Sequence, residues 1–209
     1  MVAGHGITHS ERTDGTARKA PHSLLGLQNW MALLEEAEDA PADFVHAARD
    51  TLPMIEDGGA RVRLILGTGW GMKAPVTPHG ETIDADVDMA PGAQLPLPGE
   101  HEDRGIYVLH GAVTISGATY EAGRMLVFRL GDALSVSAGD QGARLMVPGG
   151  ATMDGPRHIW WNFGASSRDR IDAAKEARRE ADWQHGRFQL PPRGRRRSYS
   201  ASRRMIRPR

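Results

Sequence analysis

The chain has 209 residues, 26 of them basic and 26 acidic, for a formal net charge of zero. It has no cysteine, which excludes a disulfide framework and a thiol nucleophile. No apolar run is long enough to span a bilayer and no signal-peptide core is visible, so the expectation is a soluble, cytoplasmic protein without membrane attachment. The zero charge hides an asymmetry. Arg193 to Arg209 carries eight arginines and no acid, leaving 18 basic against 26 acidic residues elsewhere, a net of −8. The sequence reads as an acidic globule joined to a basic tail.

Met1 to Glu11 is a strand-like run with no charged lead-in. Alternation along a strand places His9 and Glu11 on one face. An imidazole and a carboxylate so placed are half of a transition-metal site. The blander reading, a solvated polar strand face, is favoured for an isolated H-x-E because that motif is loose. His5 shares the parity, but four residues at the strand rise put it about 13 Å from His9, too far to share one ion. Pro21 to Trp30 reads as a crossing segment in which Gln28 and Trp30 serve packing. Leu33 to Ala40 is acidic, and Glu35, Glu36, Glu38 and Asp39 are expected as a solvated linker stopped by Pro41.

Arg61 to Leu66 alternates and opens a β region. Gly67 to Gly71 reads as a loop holding Trp70, and Pro75 and Pro78 mark an edge or extended segment beside His79. Thr82 to Met89 puts Ile83, Ala85, Val87 and Met89 on one face and Thr82, Asp84, Asp86 and Asp88 on the other. Leu95 and Leu97 follow Pro91-Gly92. Glu100 to Arg104 is expected as a solvated acidic loop containing His101. Ile106 to Leu109 reads as a buried strand, Gly111 as a turn with His110 at the surface before it, and Val113 and Ile115 as the inward side of the next strand. Met125 to Phe128, Leu134 with Val136, and Leu145 with Val147 each follow glycine-bearing turns. Short strands broken by Gly and Pro mean an all-β sandwich or barrel.

Gly164 to His185 is the clearest helix, with Ser166 and Asp169 as a capping box, a narrow stripe of Ile171, Ala174, Ala177 and Ala181, and Gly186 as its stop. Trp160, Trp161, Phe163 and Trp183 are expected to pin this helix to the β domain, or to stand as an exposed aromatic patch. Arg193 to Arg209 has no apolar periodicity and is expected to be disordered, with weak, non-specific nucleic-acid contact at most.

Two groups of residues carry resemblances. Gly92 with Leu95-Pro96-Leu97-Pro98 and His101, then Tyr107-Val108-Leu109-His110-Gly111, then Ala122-Gly123 with Gly131-Asp132, resembles a cupin barrel. More widely, Ala3, Gly4, Gly6, Ile7, His9, Ser10 and Glu11, then Gly26, Leu27, Gln28 and Trp30, resemble the pirin family. The resemblance continues through residues 60–67, Pro75-Val76 and residues 107–111, and ends at residues 155–163.

Pirins are bicupins. The resemblance implies an all-β, cupin-type (RmlC-like jelly-roll) β-barrel with a C-terminal helix. It divides the chain into a remnant of the N-terminal cupin domain over 1–30, a linker or entry segment over 31–60, the C-terminal cupin domain over 61–190 and a disordered tail over 191–209. It also implies iron or another divalent transition metal, held in the family by three His and one Glu, of which His9 and Glu11 match one pair. No H-x-H precedes His9, so the ligand set is expected to be partial, the N-terminal domain truncated and the metal not tightly bound.

Glu11 would double as a base in a complete site, and no other catalytic or cofactor-binding residue is expected. The second barrel, with one His at 101 and none near Asp132-Ala133, is expected to hold no metal. Two functions follow from the resemblance: a non-enzymatic binding, regulatory or vestigial protein with a transcription-factor-like partner, or a metal-dependent quercetin 2,3-dioxygenase-type oxidoreductase once a complete N-terminal half is supplied. The first is the expectation.

Overall fold

The strand readings of Arg61 to Val147 assemble into one antiparallel sheet system. The computed structural model describes residues 1–9, 19, 21, 26–185 and 188–189. Eleven strands are described: β1 (Met54–Asp57), β2 (Ala60–Gly69), β3 (Met72–Lys73), β4 (Thr82–Met89), β5 (Gln94–Pro96), β6 (Asp103–Ile115), β7 (Ala118–Glu121), β8 (Met125–Phe128), β9 (Ser135–Gly150), β10 (His158–Trp160) and β11 (Phe163–Ala165). The main path runs β1-β2-β4-β9-β6-β7, with β3 on β2, β5 on β9 and β8 on β6. The all-β class with a C-terminal helix stands. Among the described residues no helix is long and apolar enough to cross a membrane.

Alternation decides what the sheet buries. Val62 and Leu64 of β2, Ile83, Ala85 and Val87 of β4, Ile106 and Val108 of β6, and Leu145 and Val147 of β9 all point into one aliphatic core. A fully buried side chain of this size contributes about 1.5–3 kcal/mol. β4 lies between β2 and β9, with Val87 opposite both Val62 and Leu145.

Two glycine signals expected to break strands do not. β6 runs straight through Gly111, and β9 runs through Gly139 and Gly142. The β6–β9 pairing shifts register between Val108 and His110 and again between Gly111 and Val113. Gly111 has φ +74°, and a Cβ there would sit 2.1 Å from the Gly142 carbonyl oxygen. It is a bulge where two backbones meet, so only glycine fits. His110 is therefore an exposed strand residue, not a turn residue. The expected loop at Gly67 to Gly71 is tighter than read. Trp70 and Gly71, both at positive φ, form a two-residue hairpin turn between β2 and β3. The Trp70 indole donates to the Pro96 carbonyl at 2.9 Å, which holds a bulky residue in that conformation.

The helix α1 spans Arg168–Arg179, shorter than the expected Gly164 to His185, because Gly164 and Ala165 belong to β11. Its cap is Ser167, whose hydroxyl accepts from the Arg170 amide, and not Ser166 with Asp169. Ser166 is otherwise engaged: its amide and hydroxyl both donate to Glu38. Only Ile171 of the expected stripe is buried, and Gly186 lies outside the described residues. The helix packs on the β10–β11 hairpin. Trp160 stacks on Phe163, with centroids 6.0 Å apart, while Lys175 and Arg178 lie over Trp160 and Trp161. The aromatic residues thus pin α1 to its own hairpin, and Trp161 stays 59% exposed.

The acidic linker is only partly solvated. Glu35–Ala37 is a single 3₁₀ turn, and Glu38 is 8% exposed. Its carboxylate accepts from the Ser166 hydroxyl at 2.7 Å and pairs with Arg170 at 3.3 Å. Arg157 donates to the Leu33 carbonyl from Nε at 3.1 Å and Nη2 at 2.8 Å. These contacts clamp residues 33–39 to the C-terminal hairpin.

Candidate functional site

Of the two metal-ligand candidates, His9 is exposed and irregular, and Glu11 lies outside the described residues. The expected strand up to His9 is reduced to one bridge, Val2 with Asp43. His5 is tied nearby, its Nδ1 donating to the Ala40 carbonyl at 3.1 Å. Among the described residues no three His, Cys, Asp or Glu side chains converge as a metal site would require. The donors described do not fit a firmly held transition metal, which needs a fixed ligand number and geometry.

The entrance to β6 was expected as a solvated acidic loop. Glu100, Glu102 and Asp103 are exposed, but His101 is buried, with 1% of its surface accessible. Its Nε2 donates to the Thr68 carbonyl at 2.9 Å, and its Nδ1 meets a Glu81 carboxylate oxygen at 2.8 Å. Both ring nitrogens are thus used in joining β6 to β2 and to the residue before β4. Next to it, the buried Arg104 guanidinium donates to the carbonyls of Pro98, Arg129 and Asp132. These two polar side chains tie loops together and leave the sheet interior aliphatic.

The outer face of β4 is where polar chemistry gathers. Asp84, Asp86 and Asp88 point away from the core at alternate positions, as the strand pattern requires. Asp86 is neutralised twice: Arg144 grips it with Nε at 3.0 Å and Nη2 at 3.1 Å, and Arg63 lies 3.6 Å away. That hydrogen-bonded pairing raises the Arg144 pKa further. Asp88 pairs with Arg61 at 3.3 Å in the open.

Asp84 differs from both. It is 8% exposed, its Oδ2 accepts from the Asn29 amide at 2.9 Å, and its Oδ1 is buried without a partner. Burial pushes its carboxyl above the usual range; the Asn29 hydrogen bond opposes this, and the Asp86 charge adds to it.

Asp84 is buried because residues 26–31 cross over the sheet here. Asn29 caps the carboxyl, and Thr82 donates its hydroxyl to the Met31 sulfur at 3.3 Å. Beside this crossing segment a groove of about 790 Å³ opens across β2, β4, β9 and β6. Leu27, Ile65, Leu109 and Met146 give it apolar walls, and Asp84, His110 and Arg144 give it polar groups. Strand alternation places Asp84 on the correct face but does not distinguish it from Asp86 and Asp88. The local text carries no signal of its cover, because Asn29 is 55 residues away.

A family model described as the pirin C-terminal cupin domain matches residues 84–189. A pirin-like protein of Caulobacter vibrioides is 38% identical over 192 residues, which is 91% of this chain and 64% of that protein. A protein of Pseudomonas aeruginosa named "Putative quercetin 2,3-dioxygenase" is 30% identical over 190 residues, or 90% of this chain and 58% of the relative. A crystal structure of quercetin 2,3-dioxygenase from Acinetobacter baumannii shares the fold, with a TM-score of 0.67 at 23% identity over 85% of this chain and 59% of that one. The chain spans less than two thirds of the length of each.

Proposed function

The chain belongs to the pirin family, and from that premise we propose that this polypeptide works as a non-enzymatic binding or regulatory cupin protein. The observation that carries the reading is the state of the polar side chains in the β domain. His101, its one buried imidazole among the described residues, has both nitrogens engaged by Thr68 and Glu81, and the core around it is aliphatic. A domain so built offers surfaces rather than an open coordination position. The partner class we propose is a transcription-factor-like protein. The arginines of residues 193–209 add non-specific attraction for nucleic acid, which should weaken steeply with salt.

A second reading is favoured by the similarity to the protein of Pseudomonas aeruginosa. In it, His9 and Glu11 supply one pair of ligands to iron or another divalent transition metal, the remaining ligands come from sequence beyond this chain, and the whole is a quercetin 2,3-dioxygenase-type oxidoreductase. Metal analysis of the purified 209-residue protein, with a flavonol-cleavage assay at saturating ferrous iron, separates the two. We expect no stoichiometric metal and no cleavage. One tightly held metal per chain together with turnover would overturn the binding reading, and His9→Ala should then abolish both.

A further inference from the structure

The groove on the outer face of the sheet holds a carboxyl group that the rest of the fold leaves incomplete. Asp86 and Asp88, its neighbours on β4, have arginine partners at 3.0–3.3 Å. Asp84 has no cation paired with it among the described residues. A carboxylate offers about four acceptor positions. Here one is filled, by a neutral amide, and Oδ1 is buried with none. A buried polar atom left unpaired carries a cost of about 1–3 kcal/mol. A native fold keeps such a group where something else completes it, or where function requires it.

The donor that closes over Asp84 is replaceable. Asn29 sits on the irregular crossing segment, is itself exposed, and reaches the carboxyl with a single N–H. An ammonium group has three donors and a full positive charge. Placed where the Asn29 amide lies, it gives Oδ2 a charged donor and neutralises a carboxyl whose pKa burial has raised. Charge-assisted bonds of this kind are roughly twice as strong as neutral ones. The walls beside it, Leu27, Ile65, Leu109 and Met146, suit an apolar body attached to the ammonium. Metal is a poor occupant, because no third ligand converges here.

We propose that this groove is a binding site for a small organic cation, a primary ammonium on an apolar or aromatic body, which displaces the Asn29 amide and salt-bridges to Asp84. The site uses none of the metal-ligand candidates, so a metal-free titration tests it while metal loading tests the functional reading above.

The probe is 2-phenylethylamine, with 2-phenylethanol as its uncharged counterpart, titrated into the full chain and followed by amide chemical shifts. The amine should saturate and bind at least tenfold more tightly than the alcohol, with the largest shifts at Leu109, His110 and Met146. Asn29→Ala removes the competing donor and should tighten the amine several-fold. Asp84→Asn should reduce the amine to the level of the alcohol. Equal binding of amine and alcohol, absence of saturable amine binding, or amine affinity unchanged by Asp84→Asn would each overturn the proposal. Should Asp84→Asn fail to fold, the amine-to-alcohol ratio and the direction of the Asn29→Ala change decide it alone.

Discussion

The two faces of β4 have the same backbone and opposite determinants. On the inner face, Ile83, Ala85, Val87 and Met89 are all buried. Their environment follows from alternation alone, since any strand in the middle of a sheet must bury that row. On the outer face, Asp84, Asp86 and Asp88 grade from buried through half-buried to exposed over five residues. Nothing in Thr82 to Met89 produces that gradient. It comes from residues 26–31, which cross over Asp84 and leave Asp88 open. Strand periodicity assigns a residue to a face; what lies over that face decides its dielectric, its partners and its chemistry.

The inner face should therefore show the largest response to change. Leu64 is fully buried and sits on β2 opposite Ala85. Leu64→Ala should cost about 2–5 kcal/mol, from lost burial and the cavity left behind. Urea unfolding should show a lower midpoint with an unchanged slope. A cost below about 1 kcal/mol would mean that this face is not the tightly packed one, and the contrast with the outer face would fail.

The cover over the outer face should respond less, and at a distance. Glu38 anchors the segment that continues from residues 26–31, through Ser166 and Arg170. Glu38→Ala leaves the Ser166 amide and hydroxyl without their acceptor. A fully buried donor so stranded costs about 1–3 kcal/mol, and the half-buried Ser166 should fall at the lower end. Amides of residues 26–31 should then exchange faster with solvent, while those of β4 and β9 keep their protection. Uniform loss of protection would show that the cover and the sheet are one cooperative unit, and not two regions held together by a clamp.

How much of this was legible in the sequence follows the same division. The inward rows of β2, β4, β6 and β9 were readable because period-2 alternation is a local signal. Gly111 and Gly142 misled because a glycine at a bulge and a glycine at a turn look alike locally; only the facing carbonyl, 2.1 Å from a Cβ at Gly111, tells them apart. Ser166 satisfied a capping pattern yet was taken by Glu38, 128 residues earlier in the chain. His101 looked solvated among acidic neighbours, but Thr68, 33 residues away, drew it inward. In each miss a long-range partner outweighed a valid local rule. The metal-ligand pair stood on a resemblance, with His9 exposed and Glu11 outside the described residues.

The finest test of the contrast is the pH dependence of Asp84→Asn. Burial raises the folded-state pKa of Asp84 above its ordinary value of 3.8. Above that raised pKa the folded state holds a desolvated charge that the unfolded state keeps in water, so the carboxyl disfavours folding. As pH falls through the folded pKa toward 3.8, the folded state takes up its proton first and the penalty is relieved. Asp84→Asn keeps an oxygen for the Asn29 amide but carries no charge at any pH.

The variant should thus be more stable than the parent at neutral pH, by less than about 1 kcal/mol, because the Asn29 hydrogen bond already offsets part of the burial. In a chain of this size that is a rise of about 2–4 °C at most. The difference in melting temperature should shrink as pH falls and vanish near 3.8. Asp154, Asp172 and Asp182 have lowered pKa values and make both proteins less stable in acid, but they are common to both and cancel in the difference. The same substitution at Asp88, which is exposed and paired with Arg61, should leave the melting temperature nearly unmoved. If Asp84→Asn instead lowers the melting temperature at neutral pH by as much as Glu38→Ala does, then the charge on Asp84 is compensated, and the outer face is as fully determined as the inner one.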